Sequence, residues 1–416
     1  MSVSRLIGKP FIYEAGVAHS LGLVRYENDG TTKITIDGEE RGVPPSHQYD
    51  LTQATIFGLN ERLTLSARGA SGKSLREEFN GEWENYSNQL SVLGPGAPFA
   101  YGYYAYYAER NHLVRFCPPY WHHTVAVTSS STLLTDKNKK LSWAEVREKL
   151  STTVVAVAGC SVGSSVIHSL VMDMRPSNIK VADKSLYKME NINRVRLGYF
   201  EMVKSQAERA SEVDLALKNK ARVVAEQIYA MDPYMNVFVY DEGVTLDNVK
   251  EFFDGREGEP TTDIVVEEVD DPRVKLFIRE EARKRKLPVV MVTDIGSAVQ
   301  LDVCRFDQDQ TLPLTFGTTD SELYKKMEEV YNRPGNRQAF FAFVDSLVGT
   351  AYRQDELKDI IEEKSEIPTS TLIPQLGSTV AMAGAVAAET VARIRLGYDY
   401  PPRAIINKHN LTAKIF

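Results

Sequence analysis

The amino-acid sequence predicts an α/β protein: a doubly wound, mainly parallel sheet preceded by a smaller N-terminal accessory domain. Three observations predict it. From about residue 137 onward, short apolar runs alternate with stretches of helical spacing, the pattern of parallel strands with helices packed on both faces. The run Val154–Ala158 is apolar without interruption, as expected of a strand covered on both faces. Residues 1–136 differ: Tyr, Gly and Pro are frequent, short β-like runs such as Lys33–Ile36 and His123–Val127 occur, and no helical period is visible over the first 50 residues. A chain of 416 residues exceeds the usual size of one core. The expected division is therefore an accessory domain over 1–136, for substrate recognition or dimerisation, and a second domain over 137–416.

The elements run in order along the chain. Thr135–Lys140 is a polar boundary. Ser142-Trp143-Ala144-Glu145 reads as a capping box, in which hydroxyl and carboxylate each satisfy an orphan amide; it opens a short helix ending near Leu150. Strand Val154–Ala158 passes into a small-residue turn, Gly159–Ser165, and a helix over Val166–Met174. Ile179–Asp183 is the second strand. A helix over Asp214–Met231 is ended by Asp232-Pro233. Val237–Tyr240, Ile264–Val266 and Val289–Val292 are strands; Leu246–Phe253 and Pro272–Lys286 are helices between them. Val299–Phe306 is strand-like. The basic run Arg283–Lys286 falls in a last helical turn, where cations suit the dipole, and reads as a solvated helix end. Val380–Ala388 is apolar and rich in Ala and Gly, far short of the ~20 residues a bilayer requires.

Composition narrows the class. The net charge of -7 argues against a nucleic-acid binder acting by general electrostatics. Cys117, Cys160 and Cys304 are too few for a four-cysteine zinc site, and their odd number suits a reducing, cytoplasmic setting. The N-terminal residues have no apolar core of a signal peptide, so no membrane partner is expected. The aromatic run Phe99–Trp121 fits either core packing or a docking surface, since Tyr supplies contact area at small entropic cost. His122 and His123 are adjacent, so in a strand they face opposite ways and share no metal. His168 reads as structural.

The chemistry concentrates after the first strand of the second domain. Gly159-Cys160-Ser161-Val162-Gly163-Ser164-Ser165 joins that strand to a helix through small residues. Amides at such a helix start point at an anion, and small side chains let it approach. Two serines stand where a dinucleotide fingerprint has glycines. Asp183 ends the next strand, 24 residues after Gly159, where an acid hydrogen-bonds a ribose. A Rossmann-like nucleotide site results, and NAD and ATP both fit it at this point.

Further along lie Asn191-Ile192-Asn193-Arg194, then Lys220 at a helix start, then Asp270 just past the fourth strand. With these the sequence resembles the ThiF/MoeB/HesA family, ATP-dependent enzymes related to ubiquitin-activating enzymes. The family pattern is a Gly-rich turn, an acid ending the second strand, Asn-x-x-Arg, a Lys before the next helix and an Asp after the fourth strand. The resemblance spans roughly 137–416, including Ile373–Ser378 and the small-residue helix after it. It implies a ThiF-like adenylation domain. Gly159, Ser161, Gly163 and Asp183 would bind the nucleotide, Arg194 and Lys220 would hold its phosphates with Asn191 beside them, and Asp270 would hold Mg2+. Attack of a carboxylate on ATP brings two anions together, which is why such cations are required. A homodimer is the expected assembly, with the Ala/Gly-rich Val380–Ala388 letting helices approach closely.

The departures shape the expected reaction. Ser185 stands where many relatives carry a second aspartate. Lys137, Lys139 and Lys140 stand where a partner subunit would supply an arginine, and a lysine cannot grip bidentately. Met202–Val213 reads as an insertion. The paired Cys-x-x-Cys of a zinc site is missing, so no zinc is expected. No cysteine lies between Gln308 and Pro374, where thioester-forming relatives keep their nucleophile; Cys160 is expected to pack under the turn and Cys304 to be buried. The expectation is a carboxylate adenylyltransferase whose acyl-adenylate is attacked directly, forming an amide or closing a ring on a small molecule or peptide. The rivals are activation of the C-terminus of a ubiquitin-like sulfur carrier, an NAD-dependent oxidoreductase, and a nucleotide-binding scaffold without turnover. NAD binding would leave Arg194, Lys220 and Asp270 without roles.

Overall fold

In the computed structural model of the chain, the described residues are 32–36, 39–43, 55–58, 76–78, 103–107, 112–116, 141, 143–203, 217–349, 352 and 375–416. Strands β1 (Thr32–Ile36) and β2 (Glu39–Val43) form an antiparallel pair. Strands β3 (Thr55–Gly58), β4 (Arg76–Glu78), β5 (Tyr103–Tyr107) and β6 (His112–Phe116) form a sheet in the order β3-β5-β6-β4. Two of these strands come from the aromatic run. The choice between packing and docking for its side chains lies outside the described residues, as do His122–Val127, Lys137, Lys139, Lys140 and Ser142.

The rest is built on one eight-stranded sheet. Its elements are α1 (Trp143–Thr152), β7 (Val154–Ala158), α2 (Val162–Asp173), β8 (Asn178–Ala182), α3 (Tyr199–Met202) and α4 (Lys220–Met231). Next come β9 (Asn236–Tyr240), α5 (Val249–Asp254), β10 (Ile264–Glu267), α6 (Pro272–Lys284), β11 (Pro288–Ile295) and β12 (Ala298–Arg305). The last are α7 (Asp320–Asn332), α8 (Arg337–Val348), α9 (Gly377–Leu396), β13 (Arg403–Asn407) and β14 (Thr412–Ile415). The strand order is β14-β13-β12-β11-β10-β7-β8-β9. The five strands from β9 to β11 are parallel, and β12, β13 and β14 add an antiparallel edge.

Every residue of β7 is buried, and alternate side chains enter opposite layers. Val155 and Val157 join α2, α4 and α9 in one core; Ala156 and Ala158 join α5, α6 and the segment carrying α7 and α8 in the other. This two-sided burial is why the run is continuously apolar. Within Val380–Ala388, Gly384 serves inside the chain: a Cβ on it would meet backbone of Ser165 at 2.6 Å, so α9 lies directly against α2. The basic run is the solvated end of α6, as expected: Lys284 and Lys286 are exposed, and Arg283 pairs with Asp320, Lys284 with Glu281, and Arg285 with Asp254.

Several boundaries differ from expectation. Helix α2 starts at Val162 rather than Val166, because Gly163, Ser164 and Ser165 are buried as its first turn instead of forming a loop. Helix α4 starts at Lys220, and 204–216, which include most of the expected insertion, lie outside the described residues. Strand β11 runs on to Ile295, three residues past its expected end, because it pairs with β12 in a hairpin.

Lys180 sets a buried charge inside the sheet. Lys180 of β8 is fully buried, and its Nζ donates to the carbonyls of Phe252 (3.0 Å) and Glu251 (3.3 Å) at the end of α5. Burial pushes its pKa down to about 8, against the opposing pull of Glu259. The folded state therefore sheds this proton near pH 8, whereas the unfolded chain keeps it to about 10.4. Between those values the unfolded state binds more protons, so stability rises with pH. In urea titrations against Lys180→Met, wild type should gain on the variant by about 3 kcal/mol between pH 7 and pH 10.5. A difference independent of pH would show that Lys180 carries no such shift.

Candidate active site

The site lies where strand order reverses. Chain succession runs outward from β7 to β8 on one side and from β10 to β11 on the other, and the crevice of such a sheet opens at the carboxyl ends of the strands. Gly159 leaves β7 with φ +94°, a conformation that favours glycine, and a Cβ there would lie 2.4 Å from the Glu268 carbonyl oxygen just past β10. Its amide donates to the Ala182 carbonyl (2.8 Å). The turn is thus pressed between the exits of β8 and β10. Helix α2 starts three residues later, and its first amides have no preceding turn to bond, which makes this end an anion site. Gly163 faces Val157, where a Cβ would come within 3.2 Å of a methyl group.

Asp183 comes directly after β8. Its two carboxylate oxygens accept from the amides of Cys160 and Ser185, each at 2.8 Å. The acid is thereby fixed beside the turn, and each oxygen keeps capacity for a further donor. Asn219, which is absent from the sequence-derived site, completes this corner. Its Oδ1 caps α4 through the Arg222 amide (3.1 Å), and its Nδ2 donates to the carbonyls of Asp183 (2.9 Å) and Asp241 (3.1 Å). Lys220 is the next residue, and its amide bonds the Ser185 carbonyl at 3.0 Å. An N-cap asparagine directly before the lysine is the available signal.

Asn191 is buried in a 3-10 turn, Met189–Asn193. Its side-chain oxygen accepts from the Lys188 amide (2.9 Å), and its carbonyl accepts from the amides of Arg194 and Val195 (both 3.0 Å). It therefore shapes the turn that presents Arg194. The Arg194 Nε donates to Ser161 Oγ (3.3 Å), which sets the guanidinium over the start of α2.

Two acids close the far side. Asp270 is open to water, yet protein crowds it enough that burial raises its carboxyl above the usual range. Lys275, Lys220 and Arg194 pull the other way, and Asp183 adds to the rise. Asp294, near the end of β11, is also absent from the sequence-derived site. It is 5 % exposed, its Oδ1 accepts from Gln375 Nε2 (3.2 Å), and burial with a contribution from Asp270 pushes it up to about 7. Glu268 accepts from the Val292 amide (2.8 Å), and burial holds it well above the carboxylate range. Among the described residues no group of three or more His, Cys, Asp or Glu is arranged to hold a metal unaided, and no helix is long and apolar enough to cross a membrane.

The structure thus brings Gly159, Ser161, Gly163, Asp183, Arg194, Lys220 and Asp270 to one rim, with Asn191 beneath it. An open, mainly parallel sheet with a small-residue turn at its switch point defines a Rossmann-like α/β protein. Residues 137–415 match the ThiF family, and the chain belongs to that family. It is 31% identical over 182 residues to the uncharacterized protein MT1398 of Mycobacterium tuberculosis (strain CDC 1551 / Oshkosh); the match takes in 44% of this chain and 22% of that relative's length. Among solved structures it is similar to PaaA, at 12% identity with a TM-score of 0.45 over 71% of this chain and 81% of the other. It is also similar to Escherichia coli MccB solved with ATP, at 14% identity with a TM-score of 0.40 over 65% of each chain.

The two cysteines within the described residues are buried. The Cys160 thiol packs under the turn, and burial, then the Asp183 charge, push it well up, against the pull of Lys220. Burial pushes Cys304 up to about 11. Thiols held protonated and away from solvent are poor nucleophiles. His168, bonded to Gln227 at 2.8 Å, is likewise internal. In native protein, N-ethylmaleimide at pH 7.5 should leave the Cys160 and Cys304 peptides unmodified by mass spectrometry and label both in guanidinium. Rapid native labelling of Cys160 would place its sulfur in the open site.

Proposed function

We propose that this protein activates a carboxylate with ATP. The carboxylate oxygen attacks the α-phosphorus, pyrophosphate leaves, and an acyl-adenylate forms. An amine, amide or carbonyl oxygen then attacks the acyl carbon directly, and AMP departs. The observation that supports this reading best is the convergence of two cations, Arg194 and Lys220, with the acid Asp270 around the start of α2. A dinucleotide site would need the turn and Asp183, and would leave those three idle.

Asp183 would accept from the ribose hydroxyls with its remaining lone pairs. The α2 amides, Arg194 and Lys220 would hold phosphate oxygens and offset the charge that grows as the bond to the leaving group breaks. Asn191 would act through Arg194 by holding its turn. Asp270 offers the hard oxygen that Mg2+ prefers, and one or two carboxylates plus substrate phosphates are an ordinary magnesium set. The metal, when bound, neutralises the departing pyrophosphate. With Cys160 and Cys304 buried, no thioester step is assigned to either. The substrate class that fits is a small molecule or peptide bearing the carboxylate.

Mg-ATP should raise the melting temperature and NAD should not, since only a ligand of the native state stabilises it. A shift with NAD and none with Mg-ATP would sink the adenylation reading. In pyrophosphate exchange across a panel of amino acids, peptides and carrier proteins, Asp270→Ala should abolish exchange while keeping the wild-type circular dichroism. Arg194→Ala and Lys220→Ala should each lower it about a hundredfold, the equivalent of losing about 3 kcal/mol of transition-state stabilisation. Full exchange in the Asp270 variant would move the metal site elsewhere.

A further inference from the structure

Asp294 has a place in the site that the adenylation reading does not use. Strands β10 and β11 are parallel, with Val265 opposite Val289 and Val266 opposite Val290. Carried forward four residues, that register sets Asp270 opposite Asp294. The Val292 amide on Glu268 Oε1, at 2.8 Å, shows the two segments still side by side on the way there. Two acids therefore leave neighbouring strands at the same level.

Asp294 is half satisfied. Its Oδ1 is held by Gln375, whereas Oδ2 is buried and has no hydrogen-bond partner among the described residues. A buried carboxylate oxygen without a donor is costly unless something brings positive charge to it. Two of the cations near the site carry bonds to other groups, and none is bonded to Oδ2. Lys275 spends its ammonium on both oxygens of Glu267, at 2.8 and 3.0 Å. Arg194 is turned to Ser161 and Asn193. Ser185 offers a backbone amide to Asp183 and no charge.

We propose that Asp294 is a second carboxylate ligand of the divalent cation held by Asp270, its free Oδ2 facing the metal while Gln375 fixes Oδ1. This deepens the adenylation reading and rests on Asp270 as a magnesium ligand. Two strand-end oxygens leave four positions of an octahedral cation for phosphate oxygens and water. That accounts for both the orphan oxygen and the lack of a three-residue cluster among the described residues.

Mn2+ serves as the probe, titrated into the full chain with ATP present and followed by electron paramagnetic resonance, with ATP affinity measured separately in EDTA. Wild type should bind one Mn2+ per chain. Asp294→Asn, which keeps the shape and the Gln375 contact, should weaken Mn2+ binding at least about tenfold without lowering metal-free ATP affinity. Asp294→Ser serves if the asparagine variant does not fold by circular dichroism. Wild-type Mn2+ affinity in the Asp294 variant, with a loss in Asp270→Asn, overturns this proposal and leaves the adenylation reading standing. Unchanged affinity in both variants, or no Mn2+ binding by wild type, overturns both.

Discussion

The close approach of Gly159 to Glu268 is the contact on which the rest of the site depends. A main-chain carbonyl sits where any other residue would place its Cβ, so the turn after β7 can rest on the exit of β10 only if position 159 is glycine. Everything at the rim is referenced to that contact. It fixes where α2 starts, and so where its free amides point. It brings the Cys160 amide onto Asp183, and it sets the turn beside the segment that carries Asp270. A residue with a side chain at 159 would separate the anion end of the site from its acidic end, without touching any of the groups assigned to chemistry.

Buried ion pairs hold the floor beneath this rim. Glu267, the last residue of β10, is fully buried and bonds Lys275 and Arg279 of α6. Arg279 also donates to the Leu314 carbonyl at 2.5 Å. Arg403 of β13 grips Asp302 of β12 with two nitrogens and reaches the carbonyls of Leu347 and Val348 at the end of α8. Such pairs are costly to break because the survivor is left charged in an apolar interior. Here they tie the segment bearing α7 and α8, which contributes no strand to the sheet, to the strands next to Asp270 and Asp294. They also consume Lys275, so its charge acts on the site only at a distance.

The parallel core is legible in the sequence because its signals are local and two-sided. Val154–Ala158 is apolar on both faces because both faces are covered, and Asp183 and Asp270 stand out because a strand end fixes the position of the residues just beyond it. The start of α2 is not legible, since Gly163, Ser164 and Ser165 have loop propensities and their helix is enforced from a distance by Gly384 of α9. Helices α7 and α8 open on local caps, Thr319 and Asn336, but their placement, like that of β13 and β14, rests on Arg279, Arg403 and pairing with β12, none of which is local in sequence. Asp294 is hidden for a simpler reason. The apolar pattern of its strand stops at Val292, so the acid reads as part of a loop. Counting along the β10–β11 register from Asp270 reaches it.

The charges of the rim suggest in which form a nucleotide enters. On the adenylation reading, a free polyphosphate would meet Arg194, Lys220 and the α2 amides at one end, and Asp270 and Asp294 at the other. The first encounter is favourable and the second is repulsive. Bound together, metal and nucleotide present opposite charges to the two ends, and each end then meets the sign it is built for. Asp183 adds to the acidic side of this balance, since its charge raises the Asp270 carboxyl. On that reading the rim would favour the magnesium complex over either component alone, because cations and acids are gathered around one glycine turn.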